Sequence, residues 1–280
     1  AIRRAGGMVM AQDPATAQFG DMPRSAIATG LVDFVLPVEE MVAQLVDYVN
    51  KALPRAADPL DIPPDNLNGI LGQLLARTKC DFRSYKRNTI LRRIHRRMGL
   101  RRVSDAAAYL DYLRHNPTEV SELRNDLLIG VTGFFREPDS FEQLRKTVLA
   151  PIAKAKGIDR TVRVWVPGCA TGEEAYSITM LLHEELEKAG TGFDVQVFAS
   201  DIDEQALGHA REGRYDAESI EAVPETLRRK YFSQSGGQFL IAKQVRETVV
   251  FSNQNLISDP PFSKLDLVSC RNVLIYLQSE

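Results

Sequence analysis

The spacing of apolar residues divides the chain into a helical region and a region in which short strands alternate with helices. Across residues 67–135, apolar side chains recur every three or four positions, as at Ile70 and Leu74, which is the period of an amphipathic helix. After residue 139, short apolar runs such as 162–166 alternate with helical stretches. Such runs are typical of strands buried in a parallel sheet. The pattern therefore predicts an all-helical domain followed by an open, mostly parallel α/β sheet.

The residues that precede the helical region differ from it in composition. Residues 1–49 predict a short α/β piece, in which a strand near residues 8–11 is followed later by a helix that begins at Pro37. Proline and alanine are frequent in the stretch that follows, which is typical of a linker. The predicted domains are 1–49, a linker at 50–66, a helical domain at 67–139 and an α/β domain at 140–280.

Composition narrows the class of protein. Hydrophobic residues make up 44% of the chain and charged residues 26%, which are ordinary values for a soluble globular protein. No apolar run approaches the roughly 18 residues of a membrane span, and the start has no secretory signal core. The 3 cysteines and 4 histidines are dispersed, so the sequence predicts neither a disulfide framework nor a metal site. We expect a cytoplasmic protein and interpret the chain as a piece of a longer one.

Charge is unevenly distributed, although the net charge is only −2. Residues 77–102 contain eleven Lys or Arg residues and a single acidic residue. This excess predicts a docking face for an acidic partner, formed by four arginines on one side of a helix: Arg92, Arg93, Arg96 and Arg97. A solvated charged face and a nucleic-acid site are the alternatives. Binding through such a face should weaken as salt is added.

The turn after the first strand of the α/β region carries the clearest sign of a ligand. Gly168 and Gly172 allow the backbone to turn tightly and to approach a ligand without a Cβ in the way. The start of a helix often binds phosphate, but Glu173 and Glu174 stand there and would repel it. A ligand with a cationic end is favoured instead. The methionine part of S-adenosylmethionine carries both an ammonium and a sulfonium.

A second candidate, Asp201, ends the next predicted strand. An acid at that place in an open α/β sheet accepts hydrogen bonds from ribose hydroxyls. Two alternatives are that Asp201 caps the following helix and that the glycines form a plain turn without a ligand. The combination also occurs in dinucleotide oxidoreductases, but their Gly-x-Gly-x-x-Gly spacing is missing here.

Four separated motifs resemble a known family. The segments are Thr-Gly-Phe-Phe-Arg-Glu-Pro at 132–138, Gly-Cys-Ala-Thr-Gly-Glu-Glu at 168–174, Ala-Ser-Asp-Ile-Asp at 199–203 and Ser-Cys-Arg-Asn-Val-Leu-Ile-Tyr at 269–276. In this order they resemble the CheR chemotaxis receptor methyltransferases, over about residues 64–280. Residues 1–49 resemble the C-terminal end of the CheB receptor methylesterases, so the chain is similar to a segment of a CheB–CheR fusion.

The resemblance implies a fold, an activity and a cofactor. The fold would be a Rossmann-like α/β methyltransferase that uses S-adenosylmethionine, with an N-terminal all-helical domain and a small β-rich insertion. The activity would be methylation of receptor glutamate side chains to glutamyl methyl esters, with S-adenosylhomocysteine as product. The implied partners are the acidic methylation helices of chemotaxis receptors and the remaining domains of a fusion protein, with no nucleic acid and no membrane insertion. The alternative is a non-catalytic receptor- or RNA-binding module with a degenerate methyltransferase fold.

The resemblance also implies roles for individual residues. Arg136 and Tyr276 would be catalytic. The implied cofactor-binding residues are Thr132, Arg136, Gly168, Glu173, Glu174, Asp201, Asn255, Leu256, Arg271 and Asn272. Which of the two glutamates contacts the cofactor is left open, with Glu174 favoured. Gly130 departs from the family, which often has Asn at that position, so one cofactor contact is lost or replaced.

The implied reaction needs no general base, because a glutamate acceptor with a pKa of about 4.3 is already ionised at pH 7. Orientation of the reactants in a water-poor site can lower the barrier by up to about 7–11 kcal/mol. Arg136 would steer the acceptor carboxylate, and Tyr276 would orient it. Family members continue beyond this segment with a helix and a strand pair that complete the sheet, so whether the segment is active by itself is left open.

Overall fold

The computed structural model divides the chain into two units, Ala1–Ile129 together with Tyr276–Glu280, and Gly130–Ile275. The residues that it describes are 7–52, 62–128, 130, 132–155, 161–190 and 194–278. Much of the predicted linker lies outside these residues. Of its described parts, residues 50–52 end one helix, Ile62 and Pro63 precede the next, and residues 64–66 begin it. The predicted domain boundaries stay predictions.

The first unit starts with two short strands and two helices. The elements are β1 (Met10–Gln12), α1 (Asp21–Ala28), β2 (Phe34–Leu36) and α2 (Val38–Ala52). The strands pair in parallel, with Met10 opposite Phe34. Helix α2 begins directly after Pro37 and has two glutamates in its first turn. Their negative charges interact favourably with the positive end of the helix dipole. The predicted α/β character of this segment is therefore confirmed.

Four helices complete the first unit. They are α3 (Pro64–Thr78), α4 (Arg87–Arg101), α5 (Ala106–His115) and α6 (Pro117–Leu127). Ile70 and Leu74 of α3 and Ile94 of α4 are fully buried, because residues four positions apart lie on the same side of a helix. The all-helical domain predicted from this spacing is confirmed.

Two arginines of helix α4 lie inside the first unit. Nη2 of Arg96 lies 2.9 Å from Oδ2 of Asp33, which precedes β2, and Arg96 also pairs with Asp126 of α6. Nη2 of Arg97 lies 2.6 Å from Oε2 of Glu119, and both side chains are at most 3% exposed. A buried arginine requires such partners because an unpaired charge is strongly unfavourable away from water. These pairs fasten α4 to α6 and to the segment that carries the two strands.

This arrangement corrects the predicted docking face. Arg96 and Arg97 are buried and paired within the unit, so in this fold they present no charge to a partner, and for these two residues the prediction is wrong. The four arginines also do not share one exposed side of the helix, since Arg92 is exposed and Arg93 is half-buried. The sequence pattern of α4 did not reveal this burial, because acidic residues of other elements neutralise two of the four charges.

The second unit is an α/β fold with a small antiparallel sheet. In chain order its elements are α7 (Pro138–Leu144), a π-helical segment (Arg145–Leu149), α8 (Ala150–Ala155), β3 (Val162–Pro167), α9 (Glu173–Ala189), β4 (Val195–Asp201), α10 (Glu204–Glu212), β5 (Arg214–Tyr215), α11 (Glu225–Tyr231), β6 (Phe232–Ser235), β7 (Gln238–Ile241), α12 (Lys243–Thr248), β8 (Val249–Asn253) and β9 (Leu267–Val268). A 3-10 turn, Leu274–Tyr276, begins at its end. No helix in the described part of either unit is long and apolar enough to cross a membrane.

The larger sheet of the second unit has the order β8-β4-β3-β9, and all its pairs are parallel. Val164 of β3 and Val197 of β4 are fully buried, as are Ile178 and Met180 of α9, so the apolar runs form the core as predicted. Strands β5, β7 and β6 form a separate antiparallel sheet, which confirms the predicted β-rich insertion. The carboxyl ends of β3, β4, β8 and β9 lie along one edge of the parallel sheet.

Candidate functional site

The turn between β3 and α9 requires glycine at both ends. Gly168 has φ +68° and Gly172 has φ +92°, which are left-handed conformations that other residues adopt only with strain. A Cβ at Gly168 would lie 2.1 Å from Cγ2 of Val273, and a Cβ at Gly172 would lie 2.9 Å from the Cβ of Ala210. The two glycines are therefore required by close packing as well as by backbone conformation.

Hydrogen bonds from neighbouring elements fix this turn. The N–H of Cys169 donates to the carbonyl of Ser200 (3.1 Å), and the N–H of Ala170 donates to Oδ2 of Asp201 (2.8 Å). On its other side, the hydroxyl of Tyr215 donates to the carbonyl of Thr171 (2.6 Å). Contacts from β4 and from Tyr215 therefore fix the conformation of the turn.

Asp201 lies at the carboxyl end of β4, beside the turn. Its Oδ1 accepts from the N–H of Asp203 at 2.9 Å, while Oδ2 accepts from the turn. Burial raises the pKa of Asp201, although the backbone donors oppose the shift. The cap of α10 is Asp203, whose side chain accepts from the N–H groups of Gln205 and Ala206, so the alternative role of Asp201 as that cap is wrong. A third backbone donor, the N–H of Ile202, also acts on this carboxylate, whose two oxygens together can accept about four hydrogen bonds, so acceptor capacity remains.

The two neighbouring glutamates of α9 face different surroundings. The carboxylate of Glu173 accepts from the hydroxyl of Thr171 at 2.7 and 2.9 Å, and this side chain is buried. Oε1 of Glu174 accepts from the hydroxyl of Ser269 at 2.7 Å, and its Oε2 lies 3.9 Å from Nη1 of Arg271. Burial raises the pKa of Glu174, and the Ser269 bond and the positive charges of Arg271 and Arg136 reduce that shift. Glu174 is the carboxylate that faces the carboxyl end of β9.

Arg271 joins this carboxylate to the segment before α7. Its Nη2 donates to the carbonyl of Arg136 (3.0 Å) and to Oε2 of Glu137 (2.9 Å). Its guanidinium also lies over the ring of Phe141, 5.0 Å from the centroid. Three residues that the sequence analysis selected from distant motifs, Arg136, Glu174 and Arg271, therefore lie close together.

The loop after β8 approaches the same edge. The N–H of Gln254 donates to the carbonyl of Asp201 (3.0 Å), which places the next two residues, Asn255 and Leu256, beside that strand end. Oδ1 of Asn255 accepts from the N–H of Ile257 at 3.0 Å, so this side chain also shapes its own loop. Both residues are half-buried.

The remaining predicted residues are less connected to this edge. Asn272 follows Arg271 with φ +58°, and Thr132 is half-buried ahead of the Phe-Phe pair. Tyr276 belongs to the first unit, where its carbonyl accepts from the N–H of Lys86 at 2.8 Å. Gly130 is exposed, and a Cβ there would meet nothing within 4 Å, so glycine is not required by packing. The roles implied for Thr132, Asn272 and Tyr276 stay predictions.

Sequence reasoning missed two residues of this site. Ser269 contacts Glu174, and Tyr215 holds the turn. A polar residue at the end of an apolar run was the available signal for Ser269, whereas Tyr215 has no local signal. Among the residues that the structure describes, no group of three or more His, Cys, Asp or Glu side chains could hold a metal ion.

Three family models match successive parts of the chain. The model described as CheR methyltransferase, SAM binding domain, matches residues 130–280, which is more than half of the chain. The model described as CheR methyltransferase, all-alpha domain, matches residues 65–128. The model described as CheB methylesterase matches residues 1–45.

Several curated proteins are similar in sequence. An uncharacterized 104.1 kDa protein of Rhodobacter capsulatus is 40% identical over the whole chain, which spans only 32% of that protein's length. A putative methyltransferase, Cher3, of Pseudomonas putida is 32% identical over 71% of the chain and 73% of its own length. Chemotaxis protein methyltransferase 2 of Vibrio cholerae is 33% identical over 70% of the chain and 69% of its own length.

Proposed function

The chain belongs to the CheR methyltransferase family, and on that premise we propose that it transfers the methyl group of S-adenosylmethionine to glutamate side chains of chemotaxis receptors. The products would be glutamyl methyl esters and S-adenosylhomocysteine. The observation that carries the proposal is the position of Glu174, a partly buried carboxylate with a raised pKa beside the glycine turn and close to two arginines. Perturbed carboxylates in such surroundings are typical of ligand sites.

The residues at this edge fit the proposed cofactor. Gly168 and Gly172 permit the tight left-handed turn beside Glu174, and the ionised carboxylate of Glu174 suits the methionine ammonium. The guanidinium of Arg271 offers a counter-charge for the methionine carboxylate. Asp201 retains acceptor capacity for ribose hydroxyls, and the proposed cover over the cofactor is formed by Asn255, Leu256 and Asn272.

The proposed chemistry requires positioning more than acid–base catalysis. S-adenosylmethionine supplies the electrophilic methyl group when it is bound. The acceptor glutamate is ionised near neutral pH, so no side chain has to remove a proton from it. Arg136 would steer the acceptor carboxylate and Tyr276 would orient it. An over-tight ion pair with Arg136 would stabilise the ground state and slow the transfer, so we propose orientation and not strong binding as its role.

We also propose a reduced docking surface for the acidic receptor helix. Arg96 and Arg97 are buried and paired inside the first unit, so the proposal rests on Arg92, the exposed member of the four predicted arginines. The test is the Arg92→Glu variant, compared with Arg24→Glu on helix α1 as a control of equal charge change. Docking at Arg92 predicts weaker, salt-dependent receptor methylation in the first variant only. Equal methylation by both variants would reject it.

The segment matched by the methylesterase model suggests a larger context. The chain spans 32% of the 104.1 kDa relative, so we propose that it works as one part of a longer protein that combines methylesterase and methyltransferase domains. The other domains of that protein are its proposed partners. We further propose that the protein acts in the cytoplasm, where receptor methylation helices would be accessible.

Calorimetric titration tests the cofactor proposal. S-adenosylhomocysteine should bind and NAD should not, and Glu174→Gln should abolish the binding because it removes the negative charge. The matched control is Glu187→Gln on the same helix, at an exposed residue paired with Lys230, which should bind normally. Binding of NAD alone would favour an oxidoreductase. Binding of neither compound would favour a non-catalytic module for receptors or RNA.

A further inference from the structure

Ser269 is held rigidly at the end of β9. Its N–H donates to the carbonyl of Trp165 at 2.8 Å, which continues the pairing between β9 and β3. The residue is only 7% exposed, and its hydroxyl donates to Oε1 of Glu174 at 2.7 Å. A buried hydroxyl with a fixed backbone and a charged acceptor forms a strong, directional bond.

Because of this bond, the two oxygens of Glu174 have different neighbours. Oε1 is occupied by the hydroxyl, whereas Oε2 is directed to the side of Arg271, at 3.9 Å from its Nη1. A glutamate on a helix can adopt several side-chain rotamers, and the hydroxyl selects the one that places Oε2 beside the guanidinium. The rotamer is therefore set by a residue 95 positions away in the chain.

We propose that Ser269 is a positioning residue that orients Glu174 for the ammonium group of the cofactor and keeps its carboxylate ionised. The inference rests on the proposed function, since it assumes that Glu174 binds that group. A hydroxyl that donates to a carboxylate favours the charged form over the protonated form. Only the charged form attracts an ammonium, so loss of the hydroxyl acts on both orientation and charge.

The protonation of Glu174 supplies a readout specific to this role. Burial raises the pKa of Glu174, and the Ser269 bond opposes this shift together with the nearby charges of Arg271 and Arg136; the negative charge of Glu137 adds to the shift. Removal of the hydroxyl should raise the pKa further. Cofactor affinity would then be lost at a higher pH as acid is added, an effect that a change in packing alone would not produce.

The experiment measures the Kd for S-adenosylhomocysteine from pH 8 to pH 5 in the unaltered chain, in Glu174→Gln and in three further variants. We expect Ser269→Ala to weaken binding about tenfold at pH 7, as for loss of one charge-assisted hydrogen bond, and to move the acidic decline in affinity to higher pH. Ser269→Thr keeps the hydroxyl and should restore both. Thr179→Val removes a buried hydroxyl of α9 that donates only to the carbonyl of Ala175, and it should change neither.

The outcomes separate this inference from the proposed function. If the unaltered chain binds and Glu174→Gln does not, but Ser269→Ala keeps the original pH profile, then Ser269 has no positioning role and the proposed function stands. If Ser269→Thr fails to restore affinity while its unfolding midpoint is unchanged, the inference is also overturned. If the unaltered chain does not bind S-adenosylhomocysteine, both fail together.

Discussion

Two glutamates, Glu119 buried in the first unit and Glu174 partly buried in the second, show opposite shifts of their pKa values. The carboxylate of Glu119 in α6 accepts from Nε and Nη2 of Arg97 at 2.8 and 2.6 Å, from Arg101 and from the hydroxyl of Tyr109 at 2.9 Å. Burial alone would raise the pKa of Glu119, but the bonds from the two arginines outweigh it, and the pKa is lowered. Glu174 accepts one hydroxyl bond, its guanidinium neighbour is 3.9 Å away, and burial dominates, so its pKa is raised.

The difference separates a charge that is paired within the fold from the charge that we propose to bind a ligand. Both carboxylates lie in the first turn of a helix, and the side chains of Glu119 and Glu174 are 1% and 16% exposed. Glu119 is fully compensated within the fold, so its charge stabilises the helical unit and is unavailable to a partner. Glu174 is incompletely compensated, and a cationic ligand group would complete its surroundings.

The largest expected effect is on stability, through the buried carboxylate of Glu119. Glu119→Ala leaves Arg97 buried without its main counter-charge, so we expect the free energy of unfolding to fall by about 3–5 kcal/mol. Urea denaturation measures it. Glu122→Ala is the matched control on the same helix, because that side chain is 36% exposed and pairs with Arg97 at 3.5 Å, and it should cost at most about 1 kcal/mol. Equal, small losses in both variants would refute the assignment.

On the functional side, Arg136→Ala should affect the reaction more than the cofactor. We expect the rate of receptor methylation to fall about 100-fold, because the acceptor carboxylate loses its orientation, while affinity for S-adenosylhomocysteine changes little. Single-turnover methylation and calorimetry measure the two quantities. The control is Arg211→Ala, at an exposed arginine paired with Glu204. Unchanged turnover in Arg136→Ala would eliminate this arginine from the mechanism.

A substitution in the glycine turn beside Glu174 should have a smaller effect, on cofactor affinity. Gly168→Ala puts a Cβ 2.1 Å from Val273 in a left-handed conformation that by itself costs about 1–2 kcal/mol. We expect affinity for S-adenosylhomocysteine to fall at least about tenfold, measured by calorimetry. Gly190→Ala, with φ +66° and nothing within 4 Å of the added Cβ, carries the backbone cost alone and should bind normally. Equal affinity in both variants would show that the turn does not shape the site.

The smallest expected effect is on the pH dependence of cofactor affinity and of stability. Titration of one carboxylate changes the affinity by at most about tenfold per pH unit. Because the pKa of Glu174 is raised above its ordinary value of 4.5, cofactor affinity should be present at neutral pH and decline as pH falls through that raised pKa. Because the pKa of Glu119 is lowered, its contribution to stability is present above its unfolded-state pKa and is lost only as pH falls below 4.5. Calorimetry and urea denaturation at each pH should therefore show affinity declining first, and a simultaneous decline would contradict the comparison.

The sequence by itself predicted most of the elements and the place proposed for the site. Helical spacing in 67–135 and short apolar runs after residue 139 are local properties, because each follows from the geometry of one helix or strand. The glycine turn at 168–172 was equally readable, since its backbone conformation and its position between a strand and a helix depend on neighbouring residues. Fold class and family followed from these local patterns and four motifs, and the proposed position of the cofactor site rests on the same motifs.

Only the tertiary structure decided which charges are available. Arg96 and Arg97 had the same pattern as Arg92 in the sequence, but Asp33 and Glu119 from other elements bury and neutralise them. Glu173 and Glu174 are adjacent and chemically identical, and the contact of Glu174 with Ser269, 95 residues away, sets them apart. The physical reason is that burial and pairing depend on which residues the fold brings within a few ångströms, and no local pattern specifies those partners.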